Sequence, residues 1–325
     1  MDHPTNRFVL PFVLLIGILS VSTASIFIRF AQRDAPSLSI AAIRLTIASL
    51  AITPVALTRY RKEVYTFGRR DLLLGLLSGV FLAIHFATWI SSLEYTTIAS
   101  SVVLVSTGPL WVALLSPIFL KENPSRLVFI GLVISLVGGT VIGMSSECTW
   151  EKALTCPNLK DILHAKAMWG NFLALAGAWA VTGYLIIGRR LRSTSSLIPY
   201  IFIVYSTAAL ILITLMFSIG ETPLGYQPMT YIWLLLLALI PQLIGHSIYN
   251  WALRFLPAAF VAVTTLGEPI GSVILAYLIL QEKPALMVIF GGVLILFGIY
   301  LVSNSSLQGN ENREADVETT SSPLP

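Results

Sequence analysis

Residues Ala99-Ser-Ser-Val-Val-Leu-Val-Ser-Thr-Gly-Pro109, running on to Leu120-Lys-Glu-Asn-Pro124, are matched by a second stretch, Ala259-Phe-Val-Ala-Val-Thr-Thr-Leu-Gly-Glu-Pro269, running on to Leu280-Gln-Glu-Lys-Pro284. A single shift of 160 positions superimposes them without a gap. It carries Pro109 onto Pro269, Glu122 onto Glu282, Pro124 onto Pro284, Gly131 onto Gly291 and Gly138 onto Gly298. A constant shift that matches small, acidic and proline positions over about forty residues suggests an internal duplication.

The surroundings say which solvent this duplicated unit meets. Of 325 residues, 56% are hydrophobic and 11% charged, where a soluble domain carries about 25% charged. Ten apolar runs lie between residues 8 and 303, each of about twenty residues, the length that spans a hydrocarbon core of roughly 30 Å. The first run follows Arg7, and Ser22-Thr23-Ala24 resembles a cleavage site. It is long for a signal peptide, however, and its removal would leave one half a helix short, so it is read as a helix.

With the amino end inside, the tails and every second loop carry thirteen Lys and Arg, and the opposite loops five. That bias places both termini in the cytoplasm. Five helices in each half, an odd number, invert one half against the other across the bilayer, the plan of many secondary transporters. The expected fold is therefore an all-α integral membrane protein with ten transmembrane helices in two inverted five-helix repeats. Its parts are residues 1–145, a linker loop 146–166 outside the membrane, residues 167–303, and a polar tail 304–325 read as disordered. The linker loop contains both cysteines, Cys148 and Cys156. An oxidising exterior makes a disulfide feasible, and two free thiols fit the spacing equally well.

Charges inside the spans carry most of the functional information. Glu268 stands eleven residues after Pro257 and twelve before Leu280, near mid-bilayer, where a carboxylate costs about 2.5–3.5 kcal/mol on insertion scales. Pro269 and Pro109 each delete an N–H, freeing the carbonyls of Thr265 and Val105 at matching depth. Thr264, Glu268 and Ser272 recur every fourth residue on one helix face, and Thr107 precedes Pro109 in the first copy. In the eighth run Gln242, His246 and Asn250 repeat the same spacing, flanked by Tyr249 and Trp251. The third run offers Ser78, His85 and Ser92, with Trp89 one turn beyond His85.

His85 and His246 are repeat mates to within one residue. Imidazoles titrate in the physiological range and suit a proton relay, although an intramembrane His as often closes an interhelical hydrogen bond. Arg44 lies six residues into the second run. It is expected to snorkel outward or to make a structural pair; the alternative is that it faces inward toward an anionic group or Glu268. Trp89, Trp111, Trp179, Tyr184, Tyr205, Tyr249 and Trp251 supply pocket walls or interface anchors. Gly131, Gly138, Gly139, Gly291, Gly292 and Gly298 mark close helix contacts, within the chain or between the subunits of a homodimer.

No metal-ligand spacing, nucleophile elbow or phosphate-cradling loop is present, so neither a metal nor another cofactor is expected, and the charge pattern does not point to nucleic acid. The chain resembles the drug/metabolite transporter superfamily, and within it the EamA-type ten-helix proteins, over residues 8–303. The resemblance rests on Ala41-Ala42-Ile43-Arg44-Leu45, Leu93-Glu94-Tyr95-Thr96-Thr97-Ile98-Ala99, Pro109 with Lys121-Glu122-Asn123-Pro124, and Glu268-Pro269 with Gln281-Glu282-Lys283-Pro284. It implies a central cavity walled by the first, third, fourth, sixth, eighth and ninth helices, and transport of amino acids, other metabolites or drugs, often outward. The linker loop with two cysteines departs from the family pattern.

The reading is a secondary transporter of the cell membrane, not an enzyme. It would export small amphipathic or zwitterionic metabolites by alternating access around Pro109 and Pro269. Glu268 is the coupling or cation-recognising group, and Arg44, His85, Trp89, Thr107, His246, Tyr249, Asn250 and Thr264 are candidate contacts. A membrane-embedded enzyme or lipid-handling protein is the rival, with only His85, His246 and Glu268 to supply its chemistry.

Overall fold

In hydrocarbon every backbone N–H and C=O must find its partner within the protein, and a helix provides this within one segment. The computed structural model describes residues 9–122, 125–144, 149–150, 154–155, 166–281, 286–287, 289–298 and 300–301. In chain order its apolar helices are α1 (Val9–Ala31), α2 (Ser37–Thr58), α3 (Arg69–Tyr95), α4 (Ser100–Phe119), α5 (Arg126–Val141), α6 (Lys166–Arg192), α7 (Leu197–Ser218), α8 (Pro228–Ala252), α9 (Ala258–Leu280) and α10 (Ile289–Gly298). Eight are long and apolar enough to cross a membrane, while α5 and α10 are shorter. Where ten spans of about twenty residues were expected, the described residues therefore hold eight such helices. Within 146–166 a two-residue antiparallel pairing sets β1 (Thr149–Trp150) against β2 (Leu154–Thr155). Both cysteines and residues 302–325 lie outside the described residues.

Large apolar side chains such as Leu50, Ile118, Leu210, Phe290 and Tyr300 are exposed on the outer surface. With lipid as solvent, that is the expected polarity of a helix bundle.

Four interruptions shape the interior. Helix α1 is broken at Thr23. Helix α4 is broken at Ser106–Thr107 and α9 at Thr265–Leu266. The i→i+3 bonds Thr107 N–Leu104 O (3.1 Å), Thr265 N–Ala262 O (3.2 Å) and Glu268 N–Thr265 O (2.9 Å) tighten the last two breaks. The Thr265 carbonyl freed by Pro269 thus takes the Glu268 N–H and does not stand exposed as expected. In α8 the segment Ala238–His246 is π-helical and contains Pro241. A proline cannot donate into the ladder, and a wider turn absorbs the missing bond.

Contacts recur at the shift read from the sequence. A methyl group on Gly138 would stand 2.5 Å from the Gly291 carbonyl oxygen, and one on Gly298 would clash with the Gly131 carbonyl. Helices α5 and α10 therefore cross backbone to backbone through repeat-mated glycines, within the chain. Gly292 faces open space and makes no close contact within the chain. Lys121 and Gln281, also 160 apart, both take φ of 58°, ending α4 and α9 in the same left-handed turn.

Helices α2 and α7 lie antiparallel, each with its first turn held by an acid that follows the other. Glu221 accepts from Ser39 N (3.1 Å) and Oγ (2.7 Å), and Glu63 from Ser196 N (2.6 Å). Carboxylates satisfy the free N–H groups and the positive dipole at a helix start.

Candidate functional site

The breaks in α4 and α9 meet in the middle of the bundle, and between them lies a cavity of about 50 Å³. Its wall is Val21 from α1, His85 and Trp89 from α3, Val105, Ser106, Gly108 and Pro109 from α4, Val181, Tyr184 and Leu185 from α6, His246 and Tyr249 from α8, and Thr265 and Glu268 from α9. These are the six helices that the family resemblance implied. A water needs about 10–15 Å³ of such space. The cavity therefore has room for a few waters, less than a metabolite occupies.

Glu268 is half-buried on this wall, and its carboxylate has no hydrogen-bond partner among the described residues. Facing it are aromatic rings. His85 stacks on Trp89 with centroids 5.9 Å apart, and its Nδ1 pairs with the Gly177 carbonyl at 2.9 Å, which leaves Nε2 toward the cavity. His246 meets His85 at 6.5 Å and Phe86 edge-on at 5.2 Å. The Tyr249 hydroxyl and Trp89 Nε1 are buried without a partner. Two histidines that the sequence places at repeat-mated positions thus converge on one site.

Arg44 does not snorkel. It is fully buried one layer behind the cavity, because the face of its helix that carries it packs against α3, α7 and α8. Its Nε donates to Gln242 Oε1 at 3.0 Å, its guanidinium lies 4.0 Å from the centroid of Phe86, and Nη1 and Nη2 are unpartnered. No ion pair under 4 Å joins it to Glu268, although the two charges attract each other across the site. A guanidinium over an aromatic face is held electrostatically.

Other candidates fall outside the wall. Asn250 is fully buried and donates to the Tyr184 hydroxyl and, at 3.4 Å, to that of Tyr205. Thr107 bonds to the Leu104 carbonyl (2.8 Å) and lines a side cleft of about 10 Å³ instead. Thr264 bonds to the Val261 carbonyl (2.6 Å). The turn at Thr265 breaks the four-residue spacing, so Thr265, and not Thr264, shares the cavity with Glu268. Pro269 borders the apolar groove between α9 and α10. Trp179 is largely exposed and meets Trp111 edge-on at 5.8 Å, at the periphery.

Replacing Asn250 with Ala is expected to take the buried amide donor from the Tyr184 hydroxyl and to leave Tyr205 with Ser247. The loss should be about 1–3 kcal/mol of stability, read as a lower melting temperature in detergent.

Among the described residues no cluster of His, Cys, Asp or Glu could hold a metal ion. The lining residues Val21, Ser106, Val181 and Leu185 carry no motif in the sequence. Their only sequence signal is proximity to a break or to a named polar residue.

A multi-helix bundle enclosing a partly polar chamber at the breaks of two matched helices defines a membrane protein with a central binding site. The chain belongs to the EamA-like transporter family, whose family model matches residues 10–144 and again 168–304. It is similar to an uncharacterized transporter of Archaeoglobus fulgidus, 24% identical over 294 residues, covering 90% of this chain and 96% of that one. It is also similar to the pseudopaline exporter CntI of Pseudomonas aeruginosa strain UCBPP-PA14, 23% identical over 296 residues, covering 90% and 96%. A solved crystal structure superimposes with a TM-score of 0.69 over 91% of this chain and 96% of that chain, at 16% identity, which is a likeness of fold. The family and these relatives are transporters and not enzymes, so this is a multi-pass membrane transport protein acting on small molecules.

Proposed function

We propose that the protein is a secondary exporter of small zwitterionic or amphipathic metabolites in the cell membrane, working by alternating access between two inverted five-helix repeats, with both termini cytoplasmic. The observation that carries this reading is the Glu268 carboxylate, unpartnered on the wall of an aromatic chamber enclosed between the breaks of α4 and α9. An intramembrane acid with no structural partner is a functional group by default. It recognises a substrate ammonium or carries the coupling proton. The unpartnered edge of Arg44 behind the chamber suits the carboxylate of the same substrate, once the His246–Phe86 layer moves. Trp89, Tyr184 and Tyr249 accept its apolar part.

The ten-helix inverted arrangement draws support from the recurrence of glycine contacts and left-handed turns at a shift of 160. The outward direction draws support from the relative named as an exporter. The test is uptake of labelled amino acids, amphipathic amines and organic anions into proteoliposomes, with and without an imposed pH gradient. Gradient-driven movement of a zwitterion is the expected result. Movement of organic anions alone would overturn the role given to Glu268, and no movement by folded protein across the panel would overturn the substrate class.

A further inference from the structure

Outside the chamber, the helices that wall it are tied at their ends by arginines that the reading above does not use. Arg189, near the end of α6, donates through Nη1 to the carbonyls of Leu253 (2.7 Å) and Arg254 (3.2 Å), where α8 ends. Its Nε meets Glu122 Oε1 at 2.7 Å, and Glu122 Oε2 accepts from Ala258 N at 3.1 Å, where α9 begins. Arg29, near the end of α1, donates to the carbonyls of Leu93 (2.7 Å) and Thr96 (3.3 Å), where α3 ends. Arg29 and Arg189 are 160 apart, as are Leu93 and Leu253. Gln32 and Arg192 keep the same relation, donating to the carbonyls of Ile90 (2.9 Å) and Asn250 (3.0 Å).

The position of these clasps gives them leverage. Leu93 and Leu253 each lie one turn beyond a chamber residue, Trp89 and Tyr249. The last carbonyls of a helix have no partner within it, so a fixed guanidinium fork anchors the helix end. Glu122 follows the half of α4 beyond its break at Ser106–Thr107, so a bend there would carry Glu122 away from Arg189 and Ala258. The side chains of Arg189 and Glu122 are 23% and 24% exposed. Water at the pair screens it, so it opens at small cost, whereas breaking a fully buried pair would leave a stranded charge. At the other end, a recess of about 460 Å³ reaches Arg29, Gln32 and Glu94 but shares no residue with the chamber.

We propose that the Arg189–Glu122 clasp and the Arg29 clasp are the two gates of the transport cycle, each closing the chamber at one end, with Glu122 as the releasable latch of its gate. This rests on the transporter reading above, and its test needs no substrate. In full-length protein with Cys148→Ser and Cys156→Ser, the chamber residue Ser106→Cys serves as reporter, labelled by an impermeant maleimide from each side of oriented vesicles.

Glu122→Gln should raise labelling from the Arg189 end by about two- to fivefold, the weight of a partly exposed ion pair, and lower it from the other. Arg29→Gln should do the reverse. Arg189→Lys, which keeps the charge and loses the fork, serves if Glu122→Gln does not fold. A reporter reached from both sides, with a side ratio that none of these substitutions moves in folded protein, overturns the gates alone. A reporter that the otherwise unaltered protein exposes on neither side removes the transporter reading, and the gates with it.

Discussion

Glu268→Gln is expected to abolish gradient-driven transport and leave the protein folded. The amide keeps the shape of the carboxylate and removes its charge and its proton chemistry. No hydrogen bond or ion pair of the side chain is lost among the described residues; only the longer-range attraction between Glu268 and the buried Arg44 goes with the charge. Its backbone contributes separately, through the N–H to Thr265 and the carbonyl that accepts from Ser22 Oγ at 3.5 Å, and the substitution leaves both intact. Losing one hydrogen bond between charged groups costs about 1.5–3 kcal/mol, roughly ten- to a hundredfold in substrate affinity. Loss of the coupling proton removes the response to the gradient altogether. Initial rates in proteoliposomes at two imposed gradients, with a melting curve alongside, check this. Unchanged rates with the pH response intact would take Glu268 out of the mechanism.

A large effect on stability is also expected at the crossing of α5 and α10. A Cβ at Gly298 would press on both the Gly131 backbone carbonyl and Ser135 Oγ, inside the distance that real Cβ atoms reach. The hydroxyl can rotate away, but the carbonyl is fixed in its helix. Gly298→Val must therefore part the two helices. Overpacking of this kind costs about 1–3 kcal/mol, at roughly 2–4 °C of melting temperature for each. Gly292→Val, six residues earlier on the same helix, meets nothing within 4 Å and should melt like the unaltered protein. Equal melting of the two variants would show that the crossing is not a stability determinant.

How far the sequence was readable depends on what kind of fact is asked of it. The matched stretches around Pro109 and Pro269 led directly to the breaks that bound the chamber, because a missing N–H is a local property that no packing can restore. His85 and His246 were recognisable as partners through the repeat. Thr264 was misplaced because a regular four-residue spacing was carried through a turn that tightens to i→i+3 bonding at Thr265. For Arg44 the sequence permits snorkelling outward, a structural pair or an inward direction, and the structure shows the pair, with Gln242. The direction of Arg44 depends on α3, α7 and α8, against which it packs. The arginine clasps are not evident from composition or charge bias alone. Their separation of 160 was there to be read.

The sequence by itself determined the solvent, the helical class, the internal duplication and the place of Glu268 midway along an apolar run. These follow from composition, from the length of apolar runs and from a constant shift, and none needs knowledge of which helices touch. Only the tertiary structure decided which side chains share a chamber, that Arg44 is held between Gln242 and Phe86, and that Arg189 ties α4, α6, α8 and α9 together. Such contacts join residues 40 to about 200 positions apart. In a bilayer, where lipid is as apolar as the helix surfaces, the choice of neighbour rests on close packing and interhelical hydrogen bonds. Those depend on the three-dimensional fit of several helices at once.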